Sequence, residues 1–137
     1  MDFKNKGGFF VTNSELAALD YLKNKTASKS LIMVDNVDKN HWRNAFSYYI
    51  SFLSDRQIFV DGNGIAQDHG VAVENKIQAV KTVFNSWEIS AVEKEVKKYN
   101  IDYLYMNSKD RLVSTKSAHL FTEVFQNDQV TILKVKK

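Results

Sequence analysis

The side chains that could do chemistry fall in a few short stretches, and most fail on spacing. His41, His69 and His119 lie far apart, and none is paired at the interval of a metal-ligand motif. Asp68-His69 sets an acid beside a base, but adjacent residues on a loop rarely face each other. Gly62-Asn63-Gly64 sits between a strand-like run and a helical one, where a dinucleotide fingerprint would lie. The fingerprint needs a third glycine for close helix–strand packing, and position 67 is Gln. Calcium loops starting at Asp61 or Asp35 would place Ala72 or Phe46 where a bidentate Glu is required. The chain has no cysteine, which excludes disulfides, thiolate metal sites and cysteine nucleophiles. No Gly-x-Ser-x-Gly elbow occurs. These patterns predict an isolated chain that is not catalytic and that holds no cofactor and no metal.

A second kind of chemistry survives these tests. Three short apolar runs, 31–34, 57–60 and 101–107, each end in polar residues: Asp35-Asn36, Asp61 with Asn63, and Asn107-Ser108. If the runs are parallel strands, these ends gather along one edge, where open α/β sheets place their ligands. Carboxylates and amides there suit the hydroxyls of a sugar or a similar small molecule. Asp and Asn also end strands through Asx turns, so the same residues have a purely architectural use. The candidate ligand-binding residues are therefore Asp35, Asn36, Asp61, Asn63 and Asn107. The aromatic set Trp42, Tyr48 and Tyr49 fits a core better than a sugar-stacking platform.

The elements that would position them follow from periodicity. Residues 1–13 read as a lead-in segment, and residues 14–137 as a single α/β domain. Thr12-Asn13-Ser14-Glu15 is a capping box, and Leu16, Leu19 and Leu22 follow at helical spacing, which predicts a helix over 14–25. Trp42, Phe46, Tyr49, Ile50 and Leu53 predict a second helix over 41–53. Val73, Ile77, Val80 and Phe84 predict a third over 71–85. Ser90-Ala91-Val92-Glu93 reads as another capping box, opening a fourth helix over 90–99 that closes at Asn100. A short helical turn is expected at 118–121. The runs 122–126 and 130–136 form a hairpin through Asn127-Asp128. The expected fold is α/β: a layered mixed sheet with a parallel βα core, a C-terminal antiparallel hairpin at one edge, and helices packed on the sheet. Val92, Val96, Tyr99, Leu104 and Met106 should share one core.

Composition narrows the class. At 137 residues, 44% apolar and 26% charged, the chain has the balance of an ordinary soluble globule. No apolar run approaches the roughly 20 residues that span a bilayer. The net charge of +3 reflects a modest lysine excess, partly in the tail Lys134, Lys136 and Lys137. Base and aromatics do not interleave along the sequence as they do in nucleic-acid binders, so no nucleic-acid partner is expected.

Several stretches carry a family resemblance. They are Glu15-Leu16-Ala17-Ala18-Leu19-Asp20-Tyr21-Leu22-Lys23, the helix end Tyr48-Tyr49-Ile50-Ser51-Phe52-Leu53-Ser54-Asp55-Arg56-Gln57, a polar helix ending in Val83-Phe84, and the run Val96-Lys97-Lys98-Tyr99-Asn100-Ile101-Asp102-Tyr103-Leu104-Tyr105. The closing hairpin from Val124 to Val135 completes the set. Together they resemble the C-terminal soluble domain of bacterial multi-pass membrane proteins similar to class-C, lipid-phosphosugar-dependent glycosyltransferases. In those proteins a glycine usually stands where this chain has Asp55, and the catalytic carboxylates lie in loops of the membrane portion. The resemblance therefore implies a non-catalytic extracytoplasmic domain of a polytopic membrane glycosyltransferase, covering or shaping the substrate side of its membrane domain. The implied partners are the membrane-embedded portion of the parent chain and a lipid-linked sugar or glycan. The alternative expectation is a free-standing small-molecule-binding α/β module.

Overall fold

Thr12 opens the first helix because its hydroxyl and the Glu15 carboxylate satisfy each other's exposed backbone groups. Thr12 Oγ1 accepts from the Glu15 N–H, and Glu15 Oε1 accepts from the Thr12 N–H, each at 3.1 Å. Helix α1 then runs Asn13–Lys25 and buries Ala18, Leu19 and Leu22. A computed structural model describes residues 3–4, 10–35, 48–60, 71–107 and 119–137 of the chain. Two short strands near the start, β1 (Phe3–Lys4) and β2 (Phe10–Val11), pair antiparallel. The main sheet is built from β3 (Leu31–Val34), β4 (Gln57–Ile58), β5 (Tyr103–Asn107), β6 (Phe121–Gln126) and β7 (Val130–Val135), in the order β4-β3-β5-β7-β6. The other described helices are α2 (Tyr48–Ser54), α3 (Val71–Asn85) and α4 (Ile89–Lys98).

Strands β4, β3 and β5 are mutually parallel, while β7 lies antiparallel to both β5 and β6. This is the expected mixed sheet, with the hairpin at one edge. Alternation along the strands splits the core into two layers. Ile32, Val34, Tyr103, Tyr105, Val130 and Ile132 pack with α1 and α2 on one face. Met33, Leu104, Met106 and Val135 pack with α3 and α4 on the other. Val92, Val96, Leu104 and Met106 do share one core, with Tyr99 partly buried against it.

Four boundaries differ from the sequence expectations. Strand β4 stops at Ile58 rather than at position 60. The Phe59 N–H still donates to the Ile32 carbonyl at 2.8 Å, but Phe59 and Val60 both turn into the α3–α4 layer instead of alternating. Helix α4 starts at Ile89, its N-cap Glu88 makes no side-chain capping bond, and Ser90 lies inside the first turn, so the second capping box does not form. The linker from α3 is short, and Ser86 Oγ accepts from the Glu88 N–H at 3.1 Å within it. Ile89, packed against the core, takes the position that a hydroxyl cap would have needed. Phe121 begins β6 by pairing with Val135 rather than ending a helical turn. The hairpin turn reaches from Asn127 to Gln129, because Asn127 Oδ1 accepts from the N–H groups of both Gln129 and Val130. Of the expected helix over 41–53, residues 41–47 lie outside the described residues.

The end of α4 follows its sequence closely. Asn100 takes the left-handed conformation at φ 56°, the Ile101 N–H donates to the Val96 carbonyl at 3.0 Å, and the Asn100 N–H to the Lys97 carbonyl at 3.2 Å. This is a Schellman closure, and Ile101 packs in the same layer as Val96.

Candidate functional site

The sheet has two ends, which differ in chemistry. The rim is where β3, β4 and β5 finish; the base is where they begin and where β7 finishes. The registers Val34↔Tyr105 and Ile32↔Ile58 bring the three strand C-termini to one side. At the rim, Asp35 and Asn107 therefore lie on the same edge, as the parallel reading requires. Asp35 is buried, at 1% exposure, and Asn107 is half-buried. Enclosure leaves Asp35 better placed to organise the rim from inside than to meet a ligand from solvent. The expected partners Asn36, Asp61 and Asn63 lie outside the described residues, as do His41, Trp42, Asp68 and His69. His119 is exposed, beside the start of β6.

Tyr49 belongs to the core and has a polar task there. Its hydroxyl donates to Glu15 Oε2 at 3.0 Å, and Glu15 is itself 1% exposed. The same corner holds the hairpin turn: Thr12 Oγ1 bonds Gln129 Oε1, Ser14 Oγ donates to Asp128 Oδ1 at 2.5 Å, and Asn127 Nδ2 to the Ser14 carbonyl at 2.8 Å. Glu15 thus caps α1 and anchors α2, while residues around it hold the β6–β7 turn. A buried carboxylate so employed is architecture, not an acid–base catalyst.

The base contains residues that periodicity did not single out. Arg56 is only 6% exposed, and among the described residues its guanidinium meets oxygens of the backbone and of a hydroxyl. Its Nη2 donates to the carbonyls of Lys23 and Thr26 at 2.7 Å, Nη1 to the Asp55 carbonyl at 2.8 Å, and Nε to Thr26 Oγ1 at 3.0 Å. One cation thereby satisfies the carbonyl ends of α1 and α2 together, with the helix dipoles favouring its charge. Asp55 precedes it at φ 54°, doing the left-handed work for which the resembling proteins use glycine. The only sequence signal for this was the Ser-Asp-Arg helix ending.

Asp102 plays the matching part for the strands. Its Oδ2 accepts from the Leu31 N–H at 2.8 Å, its N–H donates to the Leu31 carbonyl at 2.9 Å, and its carbonyl accepts from the Val135 N–H at 2.9 Å. Lys137 Nζ reaches Asp102 Oδ1 at 3.1 Å and Asn100 Oδ1 at 2.7 Å. Nearby, burial pushes the Tyr103 phenol above its ordinary pKa, with Tyr21 and Asp102 adding to the rise and Arg56 opposing it. No group of three or more His, Cys, Asp or Glu among the described residues could hold a metal ion. Among the same residues, no helix is long and apolar enough to cross a membrane.

Fold and topology together define a class: a small α/β domain with a five-stranded mixed sheet and helices packed on both faces. No family model and no curated protein matches the chain. The fold does match a solved one. The crystal structure of the C-terminal globular domain of oligosaccharyltransferase from Archaeoglobus fulgidus aligns with a TM-score of 0.64 at 10% identity, covering 92% of this chain and 99% of that chain. At that identity the likeness is one of fold, and it extends over nearly the whole of both domains.

Proposed function

We propose that this chain is a non-catalytic, extracytoplasmic domain of a bacterial polytopic membrane protein of glycosyltransferase type. On this reading it covers or shapes the substrate side of the membrane-embedded portion, and a lipid-linked sugar or glycan is the ligand handled there. The observation that carries the reading is the near-complete mutual coverage with the C-terminal domain of an oligosaccharyltransferase. The two domains superpose from end to end, so the likeness is not that of one generic βα unit. The motif resemblance supports it independently, since it rests on the α2 end at Arg56 and the α4–β5 joint, the two places where the base is knit together. Asp35, Asn36, Asp61, Asn63 and Asn107 remain the proposed rim set, with Asp35 enclosed behind it and Asn107 half-buried at its edge.

The native reading frame tests the proposal. Hydrophobic segments of spanning length, roughly 20 residues each, are expected upstream of the domain. A stop codon immediately before Met1 would sink the membrane-parent reading.

A further inference from the structure

We infer that the base of the sheet is a docking surface for anionic lipid headgroups. The inference rests on the charge and exposure of the base and not on the membrane-parent reading.

The inference starts from where the fold sends its lysines. In sequence they look dispersed, and the net charge is only +3. An α/β topology, however, sends helix C-termini and the N-termini of parallel strands to one end. Lys23 and Lys25 occupy the last turn of α1, and Lys97 and Lys98 the last turn of α4. Lysines at helix C-termini complement the dipole, so those alone would need no further explanation. Others at the same end lie on no helix. Lys29 stands in the loop just before β3, whose first residue Leu31 is bound to Asp102. Lys134 is paired with Tyr103 at the start of β5, and Lys136 and Lys137 follow β7 down to Asp102 and Leu120. All of these lysines are exposed.

The carboxylates nearby do not cancel them. Asp102 is occupied by the Leu31 N–H and Lys137, Glu93 pairs with Lys97 at 3.4 Å, and the exposed acids Asp55 and Glu123 toward this end are outnumbered by the lysines. Lys29, Lys134, Lys136 and Lys137, which lie off the helices, thus gather at the base, while Asp128 is exposed at the turn of the hairpin at the other end.

The chemistry of the surface selects lipid over other polyanions. Lysine presents a compact point charge on a flexible stem, suited to mobile phosphate headgroups, whereas planar bidentate recognition calls for arginine. The one arginine described here, Arg56, is spent on backbone carbonyls. Phe52 is 82% exposed in the last turn of α2, which leads directly into Arg56. An exposed aromatic beside a lysine field is the arrangement that inserts at a membrane interface while the charges stay among the headgroups. Single-strand nucleic-acid binders instead set several aromatics along a basic groove.

Vesicle co-sedimentation of the purified chain tests this. Binding is expected to vesicles of mixed phosphatidylglycerol and phosphatidylcholine, weakening as salt rises, with none to phosphatidylcholine alone. Each lysine near an anionic surface contributes about 1 kcal/mol, or about fivefold in affinity. The triple change Lys29→Gln, Lys134→Gln and Lys136→Gln should therefore weaken binding by about a hundredfold. Phe52→Ala should weaken it severalfold without altering the salt dependence. Lys81→Gln, on α3, should leave it unchanged, and circular dichroism should show every variant folded. Three results would overturn the assignment: no preference for anionic vesicles, a folded triple variant that binds as the parent does, or a single-stranded oligonucleotide bound as tightly as the vesicles. Upstream spanning segments combined with failed vesicle binding would sink the lipid-docking assignment and leave the membrane-parent reading standing.

Discussion

The base and the rim of this sheet are made from the same strands and the same turns of chain, yet they are built to different ends. At the base, buried polar groups tie elements that are distant in sequence: Arg56 joins α2 to α1, and Asp102 joins β5 to β3 and β7. Arg56, buried, donates to three backbone carbonyls and a hydroxyl, where one missing partner is costly, while half-buried Asp102 holds the Leu31 N–H and Lys137 through its carboxylate and β7 through its backbone. At the rim, Asp35 and Asn107 end their strands, and the side-chain links described at that end join α1 to α2 and to the β6–β7 turn rather than strand to strand. The contrast teaches a division of labour familiar in α/β domains. In open α/β sheets ligands lie outside the C-terminal ends of the strands, which is where the proposed site is placed.

Substitutions can break or sharpen that contrast. The largest effect is expected at Arg56. Arg56→Ala leaves the carbonyls at the ends of α1 and α2 without their donor and opens a cavity, so stability should fall by about 3–5 kcal/mol. Arg56→Lys keeps the charge but cannot span those acceptors, and should fall between the two. Urea denaturation with an unchanged midpoint in Arg56→Ala would show that the base is not held by this contact.

Val96 comes next. It is 1% exposed at the point where α4 turns into β5, and its carbonyl accepts the Schellman bond from Ile101. Val96→Ala should cost about 1–3 kcal/mol through lost transfer free energy and a residual cavity. A thermal midpoint equal to that of the parent chain would dissolve the α4–β5 pairing on which the base depends.

The smallest stability effect belongs to the rim. Asn107→Ala, at a half-buried strand end, should change stability by less than about 0.5 kcal/mol. The same substitution should remove the amide shifts that titration with a sugar produces in residues next to the β5 end. A loss of stability as large as that at Val96 would make the rim as structural as the base. A sugar titration that moves no rim amide would reduce the rim to architecture.

By itself the sequence determined the local elements, because each was signalled within a few residues of where it forms. Thr12 and Glu15 specify the start of α1 through their own backbone neighbours, and Asn100 specifies the end of α4 through its tolerance of positive φ. Short apolar runs ending in Asp or Asn marked the parallel strands, and alternation at Val130 and Ile132 marked the hairpin. Local pattern failed where packing set the boundary: Ile89 began α4 ahead of the hydroxyl at Ser90, and Phe59 left the β4 alternation to enter the α3–α4 layer. Only tertiary structure decided which distant residues meet. Arg56 finds Lys23 and Thr26, Tyr49 finds Glu15, and Lys134 and Lys137 arrive at the same end as Lys29 only because the parallel strands begin where β7 finishes. Periodicity measures how often a side chain faces the core. It carries no information about which carbonyl or carboxylate waits there, and that is why the lysines gathered at the base read, along the sequence, as scattered.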